Sequence, residues 1–258
     1  MNLRRTLPWA VLALLVAAQI GYPLTGGGVR AGLTVATVVI GFVLSVGHAV
    51  LSRGPRSAAA LVLVTTGGGL AVEACGVATG FPFGGYDYAG TLGPKLLGVP
   101  VIIPLAWTWM AWPAWLVATR LVAGAAVRSA AARVAVGAVA LAAWDLFLDP
   151  QMVAEGHWTW LDTEPALPGV ADIPVGNYLG WLAVAAVMMA LLQLTGAAGR
   201  AEPAADQPMY ALYLWTYASS VLAHAVFLGL PASAGWGGLG MGLVAVPFAV
   251  ALIRARRR

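Results

Sequence analysis

Residues 130–160 read "AAARVAVGAVALAAWDLFLDPQMVAEGHWTW", an apolar run of membrane-spanning length that ends in acids and tryptophans. The hydrocarbon core of a bilayer is about 30 Å thick and requires roughly 20 helical residues at about 1.5 Å rise each. The stretch 130–148 meets that requirement. The same reading along the chain gives spans near 7–24, 29–51, 58–79, 98–119, 174–196, 208–230 and 235–253. Composition agrees, with 60% hydrophobic and only 9% charged residues, against about 25% charged in an ordinary soluble domain. The expected fold is all-α, a polytopic transmembrane helix bundle of about eight spans forming a single integral membrane domain over 1–258.

The charges orient the bundle. With the N-terminus inside, the inside positions carry Arg4, Arg5, Arg53, Arg56, Arg120, Arg128, Arg133, Arg200, Arg254, Arg256, Arg257 and Arg258, and only Arg30 and Lys95 fall outside. That asymmetry predicts a multi-pass protein of the cell membrane with both termini cytoplasmic. It also explains a pI near 9.6 without nucleic acid as a partner. The opening MNLRR and its apolar run resemble a signal peptide, but no clear small-residue cleavage site follows, and an uncleaved first helix is expected. The single cysteine, Cys75, excludes an intramolecular disulfide and any multi-cysteine metal site. Glycine is abundant, as suits close helix approach in lipid, and "TTGGGL" at 65–70 is expected to bend the third span or admit a neighbour. A linker is expected at 199–208, "GRAEPAADQP".

In this topology the unusual residues gather towards the outer side. Glu73 lies below the outer end of the third span, Asp145 in the outer half of the fifth, and His224 in the outer half of the seventh. An Asp at mid-helix costs at least about 2.5–3.5 kcal/mol, so such residues are functional candidates. Asp145 and Asp149 are i and i+4 and share a helix face. Other readings stand beside these. Glu73 pairs with Lys95, Asp149 only precedes the Pro150 that ends the span, and His224 is a hydrogen-bonded packing residue. His48 and His157 are not expected to act. Trp107, Trp109, Trp112 and Trp115 of the fourth span form either an aromatic wall or a lipid-facing stripe. A wall would stabilise a cation by up to about 2 kcal/mol.

The Asp145/Asp149 pair also fits the DxxxD of membrane prenyltransferases, which hold diphosphate through magnesium. Magnesium needs further carboxylates and phosphates, and there is no second acid-rich repeat, no NDxxD and little basic charge on that side. The metal expectation is therefore none. Gly-x-Ser-x-Gly, P-loop and HExxH motifs are absent.

Four motifs in order, "GFPFGGYDY", "LGPKLLGVPVIIPLAW", "WDLFLDPQMVAEGHWTW" and "IPVGNYLGW", resemble the integral-membrane carotenoid biosynthesis proteins of the carotenoid hydratase type. The resemblance runs from about Glu73 to Trp181. Relatives often carry a basic or histidine side chain after "PFG", where this chain has Gly84, Gly85, Tyr86 and Asp87. The resemblance implies addition of water across the terminal double bond of an acyclic carotenoid, C40 or C50, giving a tertiary alcohol without cofactor. That chemistry asks for an acid in a dry pocket, aromatic faces for the cation and a polar group for water. Glu73, Asp145 and Asp149 are the expected catalytic residues. Phe81, Phe83, Tyr86, Trp107, Trp144, Trp158, Trp160, Asn177 and His224 are the expected substrate contacts. The implied partners are the acyclic carotenoid, the lipid bilayer and other carotenoid-pathway membrane enzymes. Cyclisation or prenyl addition through the same cation, or non-catalytic carotenoid or lipid binding, are the competing readings.

Overall fold

The computed structural model describes residues 3–122, 127–197 and 204–257. Arg200, Arg258 and the 199–203 part of the expected linker lie outside them. The helices are α1 (Leu3–Gly21), α2 (Gly27–Arg53), α3 (Pro55–Val62), α4 (Gly68–Thr79), α5 (Ile102–Leu121), α6 (Val127–Ala142), α7 (Asp145–Ala154), α8 (Val175–Thr195), α9 (Gln207–Leu222) and α10 (Pro231–Arg256). A π-helical turn, Leu63–Gly67, fuses α3 and α4 into one rod, and a second, Ala223–Phe227, extends α9.

Among the described residues, seven helices are long and apolar enough to cross a membrane: Arg5–Leu24, Gly27–Arg53, Pro55–Thr79, Ile102–Leu121, Arg128–Ala154, Val175–Thr195 and Pro231–Ala255. The segment expected at 208–230 is helical but is not among them, because Thr216, Ser219, Ser220 and His224 dilute its apolar residues. It packs against α5, α10 and α1, so much of its surface meets protein rather than lipid.

The span expected at 98–119 starts later, at Ile102. Val99–Pro100 pairs instead with Lys95–Leu96 as a small hairpin of β3 on β2, turning through Leu97 and Gly98 at φ 53° and 82°. The remaining strands are β1 (Tyr86–Tyr88), β4 (Trp158–Trp160), β5 (Ala166–Leu167) and β6 (Val170–Pro174), with β1 on β4 and β5 on β6, all antiparallel.

Pro150 does not end its helix, contrary to the simple reading of Asp149–Pro150. The chain breaks at Ala143–Trp144 and continues as α7 to Ala154. Proline has no N–H for the carbonyl four residues back, here that of Leu146, and Ser233 Oγ of α10 donates to that oxygen at 2.7 Å. The same device recurs in α5, where Pro113 frees the Trp109 carbonyl and Ser45 Oγ of α2 donates to it at 2.8 Å. Ser233→Ala leaves a buried carbonyl unpaired, and a loss of about 1–3 kcal/mol is expected. A lower melting temperature of the detergent-solubilised protein would show it, and an unchanged one would refute it.

α5 is the axis of the bundle, buried from Ala106 to Ala118 by α2, α6, α9 and the α3–α4 rod. All four of its tryptophans are inside, which rules out the lipid-facing stripe. Glycine makes room for two of them. A Cβ on Gly41 would lie 2.5 Å from the Trp109 ring, and one on Gly69, within the 65–70 stretch, 2.9 Å from Trp107. At one end of the bundle Arg53 pairs with Asp206, with Trp112 under its guanidinium at 5.5 Å. Arg30 bonds Glu155 at 2.5 Å near the aromatic loops.

Candidate active site

Glycine-rich and proline-rich segments cannot extend a helix, so the 80–101 and 155–174 connections fold back over the bundle. Their strands β1 and β4 pair in the register Tyr86↔Trp160, Asp87↔Thr159 and Tyr88↔Trp158. Side chains alternate across a strand. Asp87 and Thr159 are exposed, whereas Tyr86, Tyr88, Trp158 and Trp160 line a cavity beneath. The tyrosine and tryptophan rings pack across the ribbon, with centroids 5.0 Å apart for Tyr86–Trp160 and 5.6 Å for Tyr88–Trp158.

The polar tips of these four aromatics hold two carboxylates. Tyr86 and Tyr88 donate their hydroxyls to Glu73 Oε2 at 2.6 and 2.8 Å, and Trp107 Nε1 donates to Oε1 at 3.0 Å. Burial and the nearby Glu73 push both phenols well above their ordinary range, so they remain donors. Lys95 does not pair with Glu73. Its Nζ donates to the Tyr88 carbonyl at 2.5 Å. Asp149 Oδ1 accepts from Trp158 Nε1 at 2.5 Å and Trp160 Nε1 at 3.3 Å.

Asn177, in the first turn of α8, joins the acid pair. Its Nδ2 donates to Asp149 Oδ2 at 2.6 Å and to Asp145 Oδ2 at 2.7 Å. Asp145 Oδ1 and Asn177 Oδ1 take no hydrogen bond among the described residues. All three acids and Asn177 are buried and line the same cavity, roughly 1260 Å³ of empty space including its mouth. The arrangement argues against the magnesium reading. Indole and amide N–H groups, which repel a cation, already occupy both oxygens of Asp149.

The cavity's apolar side is aromatic. Trp107 stacks on Trp181 at 3.8 Å, Trp144 meets Trp181 edge-on at 6.3 Å, and Phe83 packs beside Trp107 at 6.5 Å. Trp112 and Trp115 of α5 do not reach it. Trp112 Nε1 instead donates to His48 Nδ1 at 3.0 Å.

Ten of the twelve residues expected from the sequence line this cavity. The other two do not. Phe81 is 73% exposed on the loop surface, because the glycine before it turns the chain outward. His224 sits behind the wall, against Gln151 (3.2 Å), Ser233 (2.9 Å) and the Phe147 ring, which is a packing role. His48 and His157 also lie off the cavity. Tyr88 and Trp181 were missed, although Tyr88 is two residues from Tyr86 on a strand and Trp181 four from Asn177 on a helix.

A family described as "Carotenoid biosynthesis protein" matches residues 32–246 of this chain. A curated relative, the bisanhydrobacterioruberin hydratase of Haloarcula japonica, is 31% identical over 121 residues, covering 46% of this chain and 39% of that protein. The chain thus spans well under half the length of that relative. No solved structure matches.

Proposed function

The chain belongs to the carotenoid biosynthesis protein family, and from that premise we propose that it adds water across the terminal double bond of an acyclic carotenoid end group. The observation that carries this reading is the acid pair of Asp145 and Asp149, bridged by Asn177 inside an aromatic cavity. The relative named as a bisanhydrobacterioruberin hydratase supports the same class of reaction.

The hydrogen bonds divide the labour. Glu73 and Asp149 each receive three donors, whereas Asp145 receives one. Donors favour the charged form of an acceptor, and two carboxylates sharing one amide in a dry site hold a proton between them. Asp145 carries that proton and is the acid. Its proton passes to the hydrogen-bearing carbon of the terminal alkene, whose π pair forms the new C–H bond and leaves a tertiary cation. Trp107, Trp144 and Trp181 face that cation, and the fixed carboxyl oxygens of Glu73 and Asp149 stabilise it without moving. Water, accepted by Asn177 Oδ1, forms the C–O bond and returns one proton to Asp145. The net change is one H₂O per end, and no cofactor enters the balance. Asn177 and Asp149 act as positioning residues.

The charge asymmetry supports a reading in which this end of the bundle lies at the outer face of the membrane. The test is expression in a host that accumulates lycopene and in one that accumulates a C50 precursor, with pigment mass spectrometry. A product heavier by one water per reacted end is expected. Bound but chemically unchanged pigment would overturn hydration in favour of a carotenoid-binding protein.

A further inference from the structure

A second part of the cavity lining is polar, neutral and unexplained by the hydrocarbon substrate. Tyr22 Oη, just past α1, Trp109 Nε1 of α5 and Thr216 Oγ1 of α9 are buried and have no hydrogen-bond partner among the described residues. All three residues line the cavity. Thr34 and Thr37 of α2, spaced i and i+3, line it as well. They turn their hydroxyl hydrogens onto their own helix, at Arg30 O (3.1 Å) and Thr34 O (2.9 Å), which leaves their oxygens as acceptors. Ser219 and Ser220 follow Thr216 at i+3 and i+4 on the same wall. Donors and acceptors are thus both present, with no ionised side chain among them.

Leaving three buried polar groups unpaired is costly. A hydrocarbon end group cannot pair them, and none of these residues is itself ionised to hold an ion. Water both donates and accepts, and a buried water typically makes about three hydrogen bonds. We propose that this wall, Tyr22, Thr34, Thr37, Trp109 and Thr216 with the two serines, is a water-binding subsite that feeds the attacking water to the cation. The inference rests on the hydration reading and adds a determinant of outcome. A cation formed beside this wall takes water. One formed without it loses a proton from a neighbouring carbon to Asp145, the C–H pair becoming a new C=C bond, and leaves the site unhydrated.

Heavy water separates these fates. Membranes holding the full chain and the acyclic carotenoid are incubated in D₂O, and both the hydrated product and the recovered unhydrated carotenoid are analysed by mass spectrometry. For the double variant Thr216→Val/Ser220→Ala the hydrated product should fall at least tenfold, while the recovered carotenoid gains deuterium beyond the wild-type level. Thr216→Ser should restore hydration. Thr37→Val, on a different helix, should shift the ratio the same way and serves if the double variant does not accumulate. Wild-type hydration rates in these variants, or lost hydration without deuterium gain in a folded protein, would overturn the inference and leave the hydration reading standing. A wild-type chain that adds no water overturns both.

Discussion

Asp145→Asn should lower product formation by about 100-fold or more, the range lost when a positioned general acid is removed, with the protein still accumulating in the membrane. The amide keeps the size of the carboxyl and an oxygen to accept from Asn177, so the packing of α7 survives while the transferable proton is gone. Asp149→Asn differs in kind. Its new NH₂ must face either the indoles of Trp158 and Trp160 or the amide of Asn177, and every one of these is a donor. That variant should lose stability along with activity. Pigment analysis paired with melting curves in detergent distinguishes the two, and a fully active Asp145→Asn protein would show that the acid is another residue.

Gly180→Ala should be the most damaging single-methyl change near the site. Its Cβ would sit 2.6 Å from the Pro82 carbonyl oxygen and 2.9 Å from Phe83 Cδ1. A backbone carbonyl cannot rotate away, so the loop must lift from α8 and carry Phe83 and β1 with it. Overpacking of this sort costs about 1–3 kcal/mol, and the hold of Tyr86 and Tyr88 on Glu73 should loosen with it. A drop in melting temperature together with at least a tenfold loss of hydrated pigment is expected. Gly176→Ala, one turn earlier, is the control, because its Cβ would lie 3.9 Å from the Phe83 carbonyl. Equal behaviour of the two variants would rule out the close approach as the cause.

The membrane spans were legible because hydropathy is local, a sum over neighbours in the chain. What eluded the sequence was non-local. Pro150 reads as a helix end unless one knows that Ser233 takes up the carbonyl it frees. The segment at 208–230 reads as an ordinary span, although its Thr216, Ser219 and Ser220 turn to a cavity. Within the candidate site, the four ordered motifs brought the acids, Asn177 and most aromatics into view, and the family match agrees with them. Phe81 was misplaced because its neighbours in the motif face inward while it does not. The threonine and tyrosine wall was invisible because Tyr22, Thr34 and Thr216 belong to three separate helices and form no pattern along the chain.

The β1–β4 ribbon has a consequence for the order in which the protein becomes competent. Residue 86 meets residue 160 only after α5, α6 and α7 between them have been threaded and packed. Closing so long a loop costs entropy before any contact repays it. Until that closure, Glu73 lacks its phenols and Asp149 its indoles. A chain whose ribbon has not closed therefore lacks the held pair of carboxyl groups, and the site is armed only once residues 86 and 160 have met.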